Sequence, residues 1–291
     1  MQKITITAAD GYPLSALYVK PVGFTLGTVV ISSATGVRKE FYVNFSRFLE
    51  MHGYSVLMFD YRGIGESAPK KLQTLKSSMH EWGTKDMNAV MDFLVKKEKK
   101  TNIIWLGHSV GAQLIGFLEN NHHIAKVISI SSAFGHWRYL PAPMKWVIWS
   151  LWYFVGPLMI RLQGYGNMKK IGWGENLPPN ILLEWRKWCL SRTYFQSTLE
   201  EELGTDKFYN FKRPITALYL SDDFIANDTT VPLMMSFFPE APQEIFKLQV
   251  EKYTREKVGH TGIFRKKFRH SLWPLLFMLI DQQSLGRRIQ N

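Results

Sequence analysis

Three residue types in this chain could do chemistry together, and they stand far apart in it. Ser109 lies in Gly107-His108-Ser109-Val110-Gly111. Before it, Asn102 to Leu106 contains an apolar run that reads as a buried strand; after it, Val110 to Ile115 has helical spacing. A serine on so sharp a strand-to-helix turn is lifted clear of the sheet, and the two glycines keep side chains out of crowded backbone. The turn also aims the first amides of the helix, Val110 among them, at any oxygen lying over the serine. A serine hydroxyl is a weak nucleophile until a base removes its proton. The usual base is a histidine whose tautomer is held by a carboxylate. Both groups occur later: Asp222 and Asp223 directly after the apolar run 214–220, and His260 in a glycine-bearing loop.

The remaining candidates read as structural. His108 is expected to point inward. His122 and His123 suit a surface loop. His136 enters an aromatic stretch where it could touch a ligand, although a lone histidine is more often not one. Asp86 is expected to fix a helix start, and Asp60 and Arg62 to tie neighbouring loops. The single cysteine, Cys189, has no activating neighbours and reads as a lid or core residue. There is no His-Glu-x-x-His, no cysteine pair and no Gly-x-x-x-x-Gly-Lys-Ser/Thr. Nothing in the sequence calls for a metal, a nucleotide or a flavin, so no cofactor is expected.

The elements that must position these groups can be read in order. Asp10-Gly11-Tyr12-Pro13 separates two short alternating runs, the signal of a β-hairpin. Strands are expected at 28–32 and 54–59, with a helix over 40–52 between them that Gly53 terminates. A helix over 79–97 ends in basic residues, which suit a helix C-terminus. The serine strand and helix follow, then a strand over 126–130. This alternation predicts an α/β fold with a doubly wound, mostly parallel sheet. From residue 134 the rhythm breaks. Seven tryptophans (Trp137, Trp146, Trp149, Trp152, Trp173, Trp185 and Trp188) are interleaved with proline and glycine, as expected of an inserted helical cap that meets an apolar ligand. The rhythm returns with a strand over 214–220, a helix near 229–237, a strand near 244–249 and a last helix over 263–280. The expected division is a core of residues 1–133 and 206–291 with a cap insertion at 134–205.

Bulk properties bound the reading. A chain of 291 residues, 46% of them hydrophobic, can bury a sizeable core. One cysteine allows no internal disulfide, which suits a reducing compartment, and the first residues lack the apolar run of a signal peptide. Cytoplasmic localisation is therefore the expectation. The apolar stretch 146–160 is interrupted by Gly156-Pro157 and falls short of the ~20 residues a membrane span needs, so it reads as a lid or interfacial element. The formal net charge is +12. That either keeps the protein soluble or attracts an anionic partner such as a lipid head group or membrane face. The basic residues are scattered over 96–100, 252–257, 265–269 and Arg287-Arg288 without a recognised nucleic-acid motif, so no nucleic acid is expected.

Over nearly its whole length the chain resembles the α/β-hydrolase fold superfamily. The resemblance rests on Gly107-x-Ser109-x-Gly111, on Asp60-x-Arg62-Gly63-x-Gly65-x-Ser67, and on Gly259-His260. Within that superfamily it is similar to a poorly characterised group of predicted bacterial serine hydrolases with Ala-Thr-Gly after the third strand and Ser-Asp-Asp after a late one. The resemblance implies Ser109 as nucleophile and His260 as general base and acid. It implies Asp223 as the orienting acid, with Asp222 as the alternative and Asp228 a distant third. It implies an oxyanion hole from the backbone of Val110 and of Thr35, with Ala34 close behind, in place of the His-Gly that many members carry. The expected activity is carboxylic-ester hydrolysis on a small-molecule or lipid-like substrate with an apolar acyl portion. Acyl transfer by the same triad, amide hydrolysis and a non-catalytic binding protein on the same fold are the alternatives.

Overall fold

The computed structural model describes residues 1–204 and 206–281; Arg287-Arg288 lies outside them. Eight strands form one sheet in the order β1-β2-β4-β3-β5-β6-β7-β8. They are β1 (Gln2–Thr7), β2 (Pro13–Val19), β3 (Gly27–Ser32), β4 (Tyr54–Phe59), β5 (Ile103–His108), β6 (Ile124–Ile130), β7 (Ile215–Leu220) and β8 (Gln243–Leu248). The hairpin strand β1 pairs antiparallel with β2, and β2 antiparallel with β4; every later pairing is parallel. The chain runs from β3 to β4, crosses back over β3 to β5, and then proceeds in one direction to β8. That reversal of winding puts helices on both faces and opens a crevice at the carboxyl ends of β3 and β5.

Strand periodicity divides the core in two. Along β5, Ile103 and Trp105 join one cluster with Val30 and Leu57, while Ile104 and Leu106 join the other with Val29 and Val56. Alternate side chains thus fill opposite faces, and central strands buried on both sides read as continuous apolar runs.

Several helices differ from the sequence expectation. The helix expected over 79–97 begins at Trp82 and contains two wide, π-type stretches, 82–87 and 93–97. Asp86 does not start it: the carboxylate is buried and accepts from Arg62 Nε at 2.7 Å and the Arg62 amide at 2.8 Å. The last helix is not continuous from 263. A short turn at Gly259–Gly262 is followed by an extended Arg265, and the helix proper is Trp273–Ile280. Pro274 falls in its first turn, where a missing N–H costs nothing; farther inside it would break the ladder.

Between β6 and β7 the chain is helical and loop-rich. Its longest element is a helix over 144–163, in which the Gly156 amide bonds the Leu151 carbonyl in a widened turn just before Pro157. The widened turn lets the helix continue through a residue that cannot donate. A second helix, Pro179–Leu190, packs beside it. Among the described residues, no helix is long and apolar enough to cross a membrane.

Candidate active site

The sharp turn after β5 has the conformation that its glycines imply. Ser109 sits at φ 53°, ψ −118°, and its amide donates to the Ile130 carbonyl at 2.8 Å. A non-glycine residue at positive φ is strained and persists only where its surroundings hold it. Here the Ser132 hydroxyl donates to the Ser109 carbonyl at 2.6 Å. A Cβ at Gly111 would stand 2.0 Å from the Ser32 carbonyl oxygen, and one at Gly107 would stand 2.4 Å from the Ala112 nitrogen. The elbow can therefore form only with glycine on both sides. The helix behind it is short, Val110–Gln113, and Val110 is its first residue, so that amide has no acceptor within the helix.

His260 and Asp223 meet at the carboxyl ends of β7 and β8. His260 Nδ1 lies 2.8 Å from Asp223 Oδ2, and the Asp223 side chain is fully buried. Oδ1 accepts from the amides of Ile225 and Ala226 at 2.9 and 3.2 Å. Burial pushes the Asp223 carboxyl up, but His260 and these hydrogen bonds outweigh it and hold the carboxyl below its ordinary range. An ionised Asp223 accepts only, so Nδ1 of His260 carries the proton and Nε2 is left as the basic nitrogen.

The neighbouring aspartates are occupied elsewhere. Asp222 accepts from the Val258 amide at 2.7 Å and the Gly259 amide at 3.0 Å, holding the loop that carries His260. Asp228 accepts from Tyr219 at 2.7 Å and Lys247 at 2.8 Å.

A buried relay joins the loop after β3 to the histidine loop. The Ala34 amide donates to the Tyr42 hydroxyl at 3.1 Å; that hydroxyl lies 2.8 Å from His108 Nδ1; and His108 Nε2 lies 2.9 Å from the His260 carbonyl oxygen. A carbonyl can only accept, so Nε2 carries the proton and Tyr42 donates to Nδ1. Burial, and then the nearby His260, push His108 down to about 3, so it stays neutral. Of the two oxyanion candidates on this loop, both line the cavity, and the Ala34 amide donates to Tyr42. Nothing in the sequence marks Tyr42 for this role, because an aromatic residue in a helical pattern reads as core. The Asp60–Ser67 loop does tie its neighbours: Arg62 also pairs with Asp10 at 2.7 Å, and Asp60 with the buried Lys39 at 2.6 Å.

Ser109 and His260 both face a cavity of about 740 Å³. Ala34, Thr35 and Phe224 line its floor with them. The helical segment supplies a further wall: Ile148, Trp152, Trp185, Cys189 and Tyr194. Cys189 is buried and its thiol is pushed up by burial, so it serves as wall and not as nucleophile. His136 does not reach the cavity; it is buried and its Nδ1 accepts from the Arg138 amide at 3.4 Å. Two backbone and side-chain links tie the segment to the floor. The Glu175 amide donates to the Gly36 carbonyl at 2.7 Å, and the Tyr194 hydroxyl donates to Gln113 Oε1 at 2.9 Å.

Comparison with known proteins agrees with this architecture. No curated protein matches the sequence. A soluble variant of monoglyceride lipase from Saccharomyces cerevisiae superposes with a TM-score of 0.65 at 14% identity, covering 97% of this chain and 96% of that one. An esterase from Exiguobacterium antarcticum gives 0.59 at 17% identity, over 96% of this chain and all of that one. Est1E from Butyrivibrio proteoclasticus, solved with ferulic acid, gives 0.59 at 14% identity, over 97% and 98%. At such identities the likeness is one of fold. The model of the family described as serine aminopeptidase, S33 (Hydrolase_4), matches residues 25–237, a span that includes Ser109 and Asp223 and stops before His260. The chain therefore belongs to that family of α/β hydrolases.

Proposed function

We propose that this hydrolase cleaves carboxylic esters with an apolar acyl group, through Ser109, His260 and Asp223 and a covalent acyl-enzyme. The observation that carries the reading is the 2.8 Å pairing of His260 with a buried Asp223, in the same cavity wall as a serine on a strained turn. Nε2 of His260 takes the proton from Ser109 as Oγ attacks the acyl carbon. The amides of Val110 and Thr35 hold the developing oxyanion. The imidazolium, stabilised by Asp223, protonates the leaving alkoxide; the same nitrogen then deprotonates a water that releases the acid.

The cavity favours an ester over a peptide amino terminus. An aminopeptidase must hold an ammonium group, and among the described residues the two carboxylates lining this cavity are already engaged. Glu40 pairs with Lys39 and Arg38, and Glu175 with Lys169. Residues 134–205 act as the cap, with the aromatic wall receiving the acyl chain. Turnover of p-nitrophenyl esters of increasing chain length tests this. Wild type should favour medium or long chains, and Ser109→Ala should lose about 10⁴-fold or more in kcat. A flat chain-length response would refute the acyl pocket; unchanged turnover in Ser109→Ala would refute the nucleophile.

A further inference from the structure

The helix over 144–163 has two apolar faces, and the site uses only one. Ile148 and Trp152 point inward and line the cavity. On the outer face Trp146, Val147, Phe154, Leu158 and Leu162 are between 53% and 71% exposed, and Tyr153 beside them is 44% exposed. Phe154, Leu158 and Leu162 follow one another at helical spacing, so the exposed groups form a stripe along a helix roughly 30 Å long. Scattered exposed apolar residues need no explanation, but a contiguous stripe does.

Charge decides what the stripe meets. Residues 134–174 contain five basic residues (Arg138, Lys145, Arg161, Lys169 and Lys170) and no aspartate or glutamate. Lys145 and Arg161 stand on the helix itself, one near each end of the stripe. Lys169 is neutralised by Glu175 at 2.8 Å, while Arg138, Lys145, Arg161 and Lys170 make no ion pair among the described residues. The Lys145 ammonium lies 5.2 Å from the Trp146 ring centre, and the Arg138 guanidinium 5.3 Å from that of Trp137. An apolar helical face edged by aromatic rings and unpaired cations, without a single acid, is the pattern of an interfacial helix on an anionic bilayer. A second copy of the chain fits less well, because a two-fold contact on this stripe would bring its unpaired cations together with no acid from this stretch to meet them.

We propose that the outer face of the 144–163 helix docks on anionic lipid surfaces, with the stripe at the boundary between head groups and acyl chains and the basic residues on head-group phosphate or carboxylate. The same helix would then separate the cavity from the bilayer by its own thickness. The surface stands independently of the hydrolytic reading, since binding is measured without turnover.

The experiment is co-sedimentation of the full chain with vesicles of phosphatidylcholine alone or with added phosphatidylserine. The expected result is partitioning onto the anionic vesicles, weak partitioning onto the neutral ones, and release by salt. Phe154→Ser combined with Leu158→Ser should reduce partitioning at least about tenfold. Lys145→Glu and Arg161→Glu should each reduce it roughly fivefold on anionic vesicles and hardly at all on neutral ones. Far-UV circular dichroism and unchanged melting temperatures establish that the variants are folded, since none of the four residues is buried. Absence of sedimentation with wild type, or sedimentation that the folded variants retain in full, overturns the proposal. A concentration-dependent dimer that Phe154→Ser with Leu158→Ser dissolves, without vesicle binding, would assign the face to a second copy instead.

Discussion

The loops at the carboxyl edge of the sheet and the helical segment over 134–204 enclose the same cavity, but they are built differently. The loops are held by short hydrogen bonds and buried charge. Asp222 grips two amides, Asp223 grips two amides and a ring, and Lys39 lies within 2.8 Å of Asp60, Glu66 and Glu40. The helical segment is held mainly by rings, such as Trp152 against Trp185 at 4.9 Å and Trp188 against Phe195 at 5.6 Å. Directional bonds fix atoms to a few tenths of an ångström, as acid–base chemistry requires; ring contacts are broad, and tolerate rearrangement around differently sized groups. Under the proposed function, the loops would set rate and the helical segment breadth of substrate.

Paired substitutions at the loop region should give the largest effect. Asp223→Asn keeps the size of the side chain but can no longer hold His260 in the Nδ1–H tautomer, and kcat for every ester should fall about 10⁴-fold. Asp222→Asn acts only through the loop that carries His260 and should cost far less, about tenfold. Equal losses would mean that the two aspartates share the role.

A smaller and more selective effect is expected from the segment. Trp185 lines the cavity and is only partly buried, so Trp185→Ala should change kcat/KM for long-chain esters by about tenfold while leaving acetate and butyrate esters nearly alone. A uniform loss over all chain lengths would erase the division of labour between the two regions.

The smallest effect concerns the ionic frame under the loops. The hydrogen bond from Arg62 holds Asp10 down to about 2 from an ordinary value of 3.8. A carboxylate depressed in the folded state stabilises the protein fully above its unfolded value, and that contribution is lost as pH falls through the folded one. The Asp10 side chain is 34% exposed, so solvent screening leaves about 1 kcal/mol of it. Thermal unfolding of Asp10→Asn should therefore show a lower melting temperature than wild type at neutral pH, and the gap should close toward pH 2. A gap that persists at low pH would mean that the loss is one of packing and not of charge.

The chain's local patterns determined a good deal unaided. Parallel strands buried on both faces appear as apolar runs, and the elbow appears as glycines flanking a serine, because both are constraints within a few residues of chain. The order of the strands and the sharp turn at Ser109 were legible for that reason. Where a feature depends on what a distant segment places opposite, the sequence was silent or misleading. Asp86 looked like a helix start and proved to be the buried partner of Arg62. The last helix looked continuous, and breaks where the chain leaves the His260 turn. Asp222 and Asp223 are adjacent and chemically identical; only the fold sets one against an imidazole ring and the other against two amides. Tyr42 and His108 lie 66 residues apart, and their link to the His260 carbonyl exists only once β5 and the last loop have packed together. Local sterics and burial can be written in sequence spacing, whereas the choice of partner for a polar group is made by the tertiary structure, because a buried donor or acceptor must take whichever partner the packing brings within about 3 Å.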